Sequence, residues 1–175
     1  MKTRMIALMG VLIGFAASAM PSKAAPFRFE DYFVGTTWAE GHFSAITGVR
    51  RDFKVRLTGR WNGHRLRLRE DFDFADGKKD RKTWTFVKTA SAAYTGTRDD
   101  VIGDAKVSVT GDTARFSYLV YLSPQTRSNI VRFHDKMVLQ PDGIVLNTAW
   151  VTKFGLPVAR TTVVFHKPLL RHGKR

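Results

Sequence analysis

Through residues 36–167 apolar and polar side chains alternate in short runs, and the runs stop at glycine, proline or small polar residues. Alternation with a period of two turns one face toward an apolar interior and the other toward water, which is the pattern of a half-buried strand. In residues 51–58, Phe53, Val55 and Leu57 alternate with Asp52, Lys54, Arg56 and Thr58. In residues 64–74, Leu66, Leu68, Phe72 and Phe74 stand on one side, and Arg65, Arg67, Arg69, Asp71 and Asp73 on the other. Asn62 and Gly63 lie between these runs, and that pair tolerates the positive φ of a tight hairpin.

The same reading predicts strands over residues 36–46, 51–58, 64–74, 82–88, 92–97, 106–110, 114–122, 128–140, 144–152 and 155–167. Residues 98–104 read as a polar loop, and helical periodicity is confined to a single turn at residues 29–33. Strands joined by short links, with no helix-length crossovers, build an antiparallel sheet, and a sheet of about ten strands closes on itself to avoid unpaired edges. The predicted fold class is all-β: an antiparallel up-and-down meander of about ten strands closed into a lipocalin-like barrel. A barrel of this size either holds one small ligand or is filled by its own side chains. Alternation alone fits both.

Residues 1–24 follow different rules. Lys2 and Arg4 precede an uncharged apolar run from Met5 to Ala19, and Ser22, Lys23 and Ala24 place small residues at the two positions a signal peptidase reads. The run is shorter than the roughly 20 residues a membrane span needs. We therefore expect a cleaved signal peptide at residues 1–24 and a single barrel domain at residues 25–175, ending in a short basic tail at residues 168–175. Without Lys2, Arg4 and Lys23 the chain keeps 26 basic residues against 15 acidic ones, a net charge of +11. Export to the periplasm argues against a nucleic-acid partner, and a positive field favours an anionic membrane surface. The chain has no cysteine, which removes disulfides, thiol nucleophiles and lipid attachment through an N-terminal cysteine.

Chemistry is signalled by polar residues whose phase places them with the apolar ones. Glu70 shares parity with Leu66, Leu68, Phe72 and Phe74, and Asp135 shares it with Val131, Phe133, Met137 and Leu139. Asn147 and Lys153 fall in phase with Val145, Ala149 and Val151, and Tyr118 falls in phase with Phe116 and Val120. A lone buried carboxylate is costly, so Glu70 needs a partner, a solvated cavity or a bulge that turns it out. Pairing through the turn at Pro141, Asp142 and Gly143 would let Asp135 meet Lys153 as an ion pair. Glu70, Tyr118, Asp135, Asn147 and Lys153 are thus the candidate polar lining of one pocket, with apolar walls from Phe53, Leu66, Leu68, Phe72, Phe116 and Met137. A structural hydrogen-bond network that fixes strand register would use the same residues.

The enzyme motifs are missing. No two of His42, His64, His134, His166 and His172 have the spacing of a helical metal motif, and no nucleophile elbow, phosphate loop or dinucleotide fingerprint is present. No metal, cofactor or catalytic residue is assigned. Arg50, Arg51, Lys54, Arg56, Arg60, Arg65, Arg67 and Arg69 form a basic stripe suited to anionic lipid or to the solvated outside of a barrel.

A collinear set of residues carries a resemblance to a known family. It runs through Phe33-Val34-Gly35, Trp38, Gly41, Arg50-Arg51-Asp52-Phe53, Gly59, Leu66-Arg67-Leu68-Arg69-Glu70-Asp71-Phe72, Asp76-Gly77, Arg81 and Trp84. It continues through Tyr94-Thr95-Gly96, Asp100-Val101-Ile102-Gly103-Asp104-Ala105, Tyr118, Phe133-His134-Asp135-Lys136-Met137, Asn147 and Lys153-Phe154-Gly155. This order resembles the bacterial envelope family called domain of unknown function 3833. The resemblance implies a small exported protein of a family without established activity, many of whose members are lipoproteins, and it points weakly toward lipid. This chain lacks the lipobox cysteine, which implies a soluble periplasmic form. His134 and Lys136 replace the Asp and Trp usual beside the residue matching Asp135, and Val151 replaces a common Met.

The expected function is a non-enzymatic periplasmic barrel that binds an amphipathic or lipid-like ligand. One alternative is an enzyme acting on a lipid-like substrate, with Glu70 or Asp135 as general base and Lys153 or Tyr118 as electrophilic partner. Another is a basic structural or interaction protein of the cell envelope. The oligomeric state carries no sequence signal.

Overall fold

A computed structural model of the chain describes residues 26–123 and 125–168. The expected export segment, and all of the basic tail beyond Pro168, lie outside the described residues. One short helix, α1 (Phe29–Phe33), precedes ten strands: β1 (Gly35–Ala45), β2 (Arg50–Trp61), β3 (Arg65–Phe74), β4 (Lys79–Ala90), β5 (Ala93–Thr97), β6 (Val101–Thr110), β7 (Thr113–Ser123), β8 (Ser128–Leu139), β9 (Val145–Lys153) and β10 (Leu156–His166). Each strand pairs antiparallel with its sequence neighbours, and β1 pairs with β10, so the sheet is a closed barrel with no free edge.

Alternation does what it predicts. In β3 Leu66 and Leu68 are buried while Arg65 and Arg67 face water, and in β2 Val55 and Leu57 are buried between exposed Lys54 and Arg56. The outward basic stripe is interleaved with acids: Asp71 lies within salt-bridge distance of Arg56, Arg69 and Arg81. Arg51 departs from the stripe. It shares the phase of Phe53 and points into the barrel opening, its guanidinium 4.1 Å from the centroid of the Phe74 ring.

The polar loop expected at residues 98–104 is shorter than its composition suggests. Strand β6 already begins at Val101, and a register shift between Ile102 and Lys106, with Gly103 at φ +70°, absorbs its polar residues within the ladder.

The two ends of the barrel differ. At one end the segment from Phe27 through α1 folds across the lumen and plugs it. Phe27, Phe29 and Phe33 are essentially fully buried. Phe29 stacks on Tyr94 at 5.0 Å between ring centroids and meets Phe86 edge-on at 5.1 Å. Backbone and side chain pin the plug in place: the Phe27 amide donates to Gly111 at 2.9 Å, and the Tyr32 hydroxyl donates to the Phe165 carbonyl at 2.9 Å. Glu30 accepts from the Tyr94 hydroxyl at 2.5 Å and pairs with Lys88. The plug also explains Gly59, where a β-carbon would sit 1.9 Å from the Phe33 carbonyl oxygen. The other end carries the β1–β2, β3–β4, β5–β6, β7–β8 and β9–β10 connections, and there the lumen opens.

Candidate functional site

Between plug and opening the barrel encloses a cavity of about 400 Å³. Its floor is Phe29 and Phe33. Rising from there, Leu57, Leu68, Phe72, Phe116, Met137 and Val163 line the wall, and Phe53, Phe43 and Phe74 stand nearer the opening. Phe53 lies flat over Gly41, its strand partner on β1, where a β-carbon would come within 2.3 Å of the ring. A side chain at position 41 would therefore push Phe53 out of its place in the cavity wall.

Apart from Arg51 at the opening and Thr161 on β10, the polar side chains of this wall lie along β3 to β9. Glu70 points inward between Leu68 and Phe72, opposite Lys82 in the β3–β4 ladder. Arg98, one residue past β5, keeps the inward phase of Tyr94 and Gly96. Its Nε donates to Oδ1 of Asp100 at 2.5 Å and its Nη2 to Oδ2 at 3.3 Å, while Lys82 pairs with the same carboxylate. Arg98 Nη1 lies 3.9 Å from Oε2 of Glu70, and the guanidinium carbon is 4.5 Å from the centroid of the Trp84 ring. Farther round the barrel, Asn147 Nδ2 donates to Oδ1 of Asp135 at 2.6 Å. Oδ2 of Asp135 and Oδ1 of Asn147, both buried, have no hydrogen-bond partner among the described residues. The Tyr118 hydroxyl bears on Asp135 from nearby without forming a hydrogen bond of good geometry.

This setting moves the acids apart. Burial pushes the Glu70 carboxyl up to about 7, against the pull of Arg98 and Lys82. Burial also raises Asp135 to about 6, opposed by Asn147, Tyr118 and Arg98. Burial resists ionisation of Asp100 as well, but Arg98 and Lys82 outweigh it and hold that carboxyl below its usual range. Near neutral pH the two cavity-lining carboxyls Glu70 and Asp135 are thus poised to titrate, while Asp100 beside Arg98 stays ionised.

The raised values set a pH dependence. A carboxyl whose pKa is higher in the fold than in the unfolded chain holds its proton more tightly when folded, so its contribution is complete below the unfolded value and disappears as pH climbs through the folded one. For Glu70 that window runs from 4.5 to about 7, and for Asp135 from 3.8 to about 6. Stability is expected to fall across pH 4.5 to 7, with Glu70 accounting for on the order of 3 kcal/mol. Glu70→Gln should remove that share of the slope. Urea unfolding at pH 5 and pH 8 measures it, and an unchanged slope in the variant would mean that Glu70 is solvated.

The sequence-based candidates are distributed as follows. Glu70, Tyr118, Asp135, Asn147, Phe53, Leu68, Phe72, Phe116 and Met137 all line the cavity. Lys153 does not, and the expected Asp135–Lys153 ion pair is absent. The register places Asp135 opposite Ala149, so Lys153 lies four residues farther along β9, about 13 Å away at the rise of a strand. There its ammonium donates to Oδ1 of Asn129 at 2.7 Å, at the opening. Leu66 is fully buried near the plugged end and lies outside the cavity lining. Arg98, Asp100 and Lys82 were missed. Lys82 could have been found from its phase with Trp84 and Phe86, and Arg98 from its phase with Tyr94 and Gly96. Asp100 has the same parity and is buried, but it stands in the turn after β5, where alternation is no guide.

Fold and cavity define a class: a lipocalin-like barrel, plugged at one end, with an amphipathic lumen. The chain belongs to the family described as "Protein of unknown function (DUF3833)", whose sequence model matches residues 8–167. A search of curated proteins returns no match. Among solved structures the barrel is similar to the S-type phycobiliprotein lyase CPES from Guillardia theta, with a TM-score of 0.59 at 8% identity over 80% of this chain and 90% of the other. It is also similar to Rv2717c from M. tuberculosis, with a TM-score of 0.52 at 15% identity over 79% and 94% of the two chains. At these identities the likeness is one of fold.

Proposed function

We propose that the protein is a periplasmic carrier that binds one amphipathic, lipid-like molecule inside the barrel. The cavity carries this reading: its volume of about 400 Å³ falls within the roughly 300–1,000 Å³ typical of small-molecule sites. Its division into an aromatic and aliphatic part and a polar part matches a ligand with an apolar body and one polar end. The two unpartnered acceptors, Asp135 Oδ2 and Asn147 Oδ1, call for a donor such as a hydroxyl on that end, because buried acceptors left unpaired cost about 1–3 kcal/mol each. Arg98, Lys82 and protonated Glu70 supply donors to its oxygens. The charged N-terminal start and apolar run favour export, and the likeness to a barrel named a phycobiliprotein lyase supports a small-molecule ligand for this one.

Organic extraction of the purified protein followed by mass spectrometry, together with titration by fluorescent fatty-acid probes, tests the proposal. Ala149 lines the cavity opposite Asp135 and is 2% exposed. Ala149→Phe fills the lumen there and is expected to weaken probe binding at least tenfold, while the circular dichroism of the barrel persists. Full probe binding by that variant, or no bound molecule and no probe uptake in the wild type, would overturn the reading.

A second reading rests on Glu70 alone. A carboxyl at about 7 beside an arginine in a cavity is suited to general acid–base work on a lipid-like substrate. Glu70→Gln and Asp135→Asn variants that bind probes and still complement a deletion strain would eliminate it.

A further inference from the structure

Six of the eleven large apolar side chains exposed among the described residues cluster at the open end of the barrel. Ile46 and Val49 lie in the β1–β2 connection, Leu122 and Ile130 at the facing ends of β7 and β8, and Phe154 and Leu156 at the β9–β10 turn. These three hairpins are consecutive around the ring, because β8 pairs with β9 and β10 pairs with β1. The Ile46 amide bonds to the Val158 carbonyl at 2.9 Å, tying two of the tips together.

Charge on this arc has one sign. Residues 44–51, 121–134 and 150–160 contain Arg50, Arg51, Arg127, Arg132, Lys153 and Arg160 and no Asp or Glu. Among the described residues only Arg51 of these reaches an acid, Asp76 from the neighbouring β3–β4 turn, at 3.2 Å. The rest of the rim differs, with Asp73, Asp76, Asp80, Asp99 and Asp100 on the β3–β4 and β5–β6 side.

Phe154 gives the arc its clearest mark. The β9–β10 turn has two residues, Phe154 at φ +51° and Gly155 at φ +82°. Two positive φ values are the requirement of a type I′ turn, whose first position favours Asn, Asp or Gly. A bulky side chain there is strained, and Phe154 is 94% exposed, with the Lys153 ammonium 5.8 Å from its ring centroid, so contacts within the chain offset little of the strain. Arg127 at φ +49° and Asn129 at φ +56° complete the positive-φ non-glycine residues among the described residues, and both belong to the β7–β8 hairpin of the same arc.

We infer that this arc docks the open end of the barrel on an anionic lipid bilayer, with Phe154 and Leu156 entering the interface and the flanking arginines and lysine meeting the headgroups. Apolar tips ringed by cations and free of carboxylates suit a surface that is apolar beneath and negative above. Leu122 belongs both to the arc and to the cavity lining, so docking sets the mouth against the membrane. The inference does not depend on what the cavity holds.

The test is flotation of the full-length mature protein with vesicles of phosphatidylcholine alone and with 30% phosphatidylglycerol. Binding is expected to the anionic vesicles and to decline steeply as salt rises. Phe154→Asn should reduce partitioning about tenfold or more, on the scale of losing one large apolar side chain from the interface. The same substitution relieves the turn and should raise the melting temperature by about 2–4 °C. Arg50→Gln with Arg127→Gln should lower binding to anionic vesicles by about tenfold or more and leave melting unchanged. Wild-type protein that stays off anionic vesicles at low salt, or Phe154→Asn protein that binds them as well as wild type, would overturn the inference.

Discussion

Replacing Arg98 with leucine is expected to destabilise the protein by about 3–5 kcal/mol, the usual cost of removing one partner from a buried charge cluster. Arg98 is 11% exposed at its side chain and Asp100 7%, so water cannot take over the lost contacts. After the change Asp100 keeps only Lys82, and Glu70 loses the nearest charge that lowers its pKa. The loss should therefore be larger at pH 8, where Glu70 must ionise without Arg98, than at pH 5, where it stays protonated. Combining Arg98→Leu with Glu70→Gln should recover the pH-dependent part and leave the part due to Asp100, a coupling that urea unfolding of the single and double variants resolves. If Arg98→Leu lies within about 0.5 kcal/mol of wild type, on the scale of an ordinary surface substitution, the polar wall is solvated and the argument for a buried binding cluster fails.

The second large effect belongs to the plug. Phe29 is 1% exposed and lies within ring-packing distance of Phe27, Phe33, Phe86, Tyr94 and Phe116. Truncating a buried Phe to Ala costs about 3–5 kcal/mol, which in a barrel of this size lowers the melting temperature by on the order of 10 °C. Phe29 is also the cavity floor, so Phe29→Ala deepens the lumen toward the plugged end. The variant should accept fatty-acid probes with longer tails than wild type accepts. Differential scanning calorimetry reads the first effect and chain-length dependence of probe binding reads the second. A variant that melts normally would show that α1 rests on the barrel without closing it.

Much of this architecture was legible locally. Hydrophobic alternation has the period of the strand itself, so Leu66, Leu68, Glu70 and Phe72 announce a common face without knowledge of any partner. Turn chemistry at Asn62 and Gly63 and at Gly111 and Asp112 marks where the strands end. The short turn at residues 29–33 was legible as a helix, but its task was not, because nothing in FEDYF says that it lies across a lumen. The polar wall was half legible. Glu70, Asp135 and Asn147 break the apolar phase of well-marked strands, whereas Arg98 keeps the phase of Tyr94 and Gly96 but stands just past the strand, in a polar stretch where a charged residue looks ordinary. Lys153 obeyed the same parity rule and still falls outside the cavity.

The reason is that parity reports only which side of the sheet a residue occupies. Height along the barrel and neighbours across the lumen depend on ladder register and on where the ring closes. Opposing Asp135 to Ala149 sends Lys153 up to the rim, and closure of β1 on β10 brings three hairpins far apart in sequence into one apolar, basic arc. Strand content, turn positions and inward faces follow from interactions between residues a few places apart, which the chain carries wherever it goes. The cavity and the rim exist only once contacts separated by most of the chain's length have formed, and the Arg98 cluster only once β3, β4 and the turn after β5 have come together.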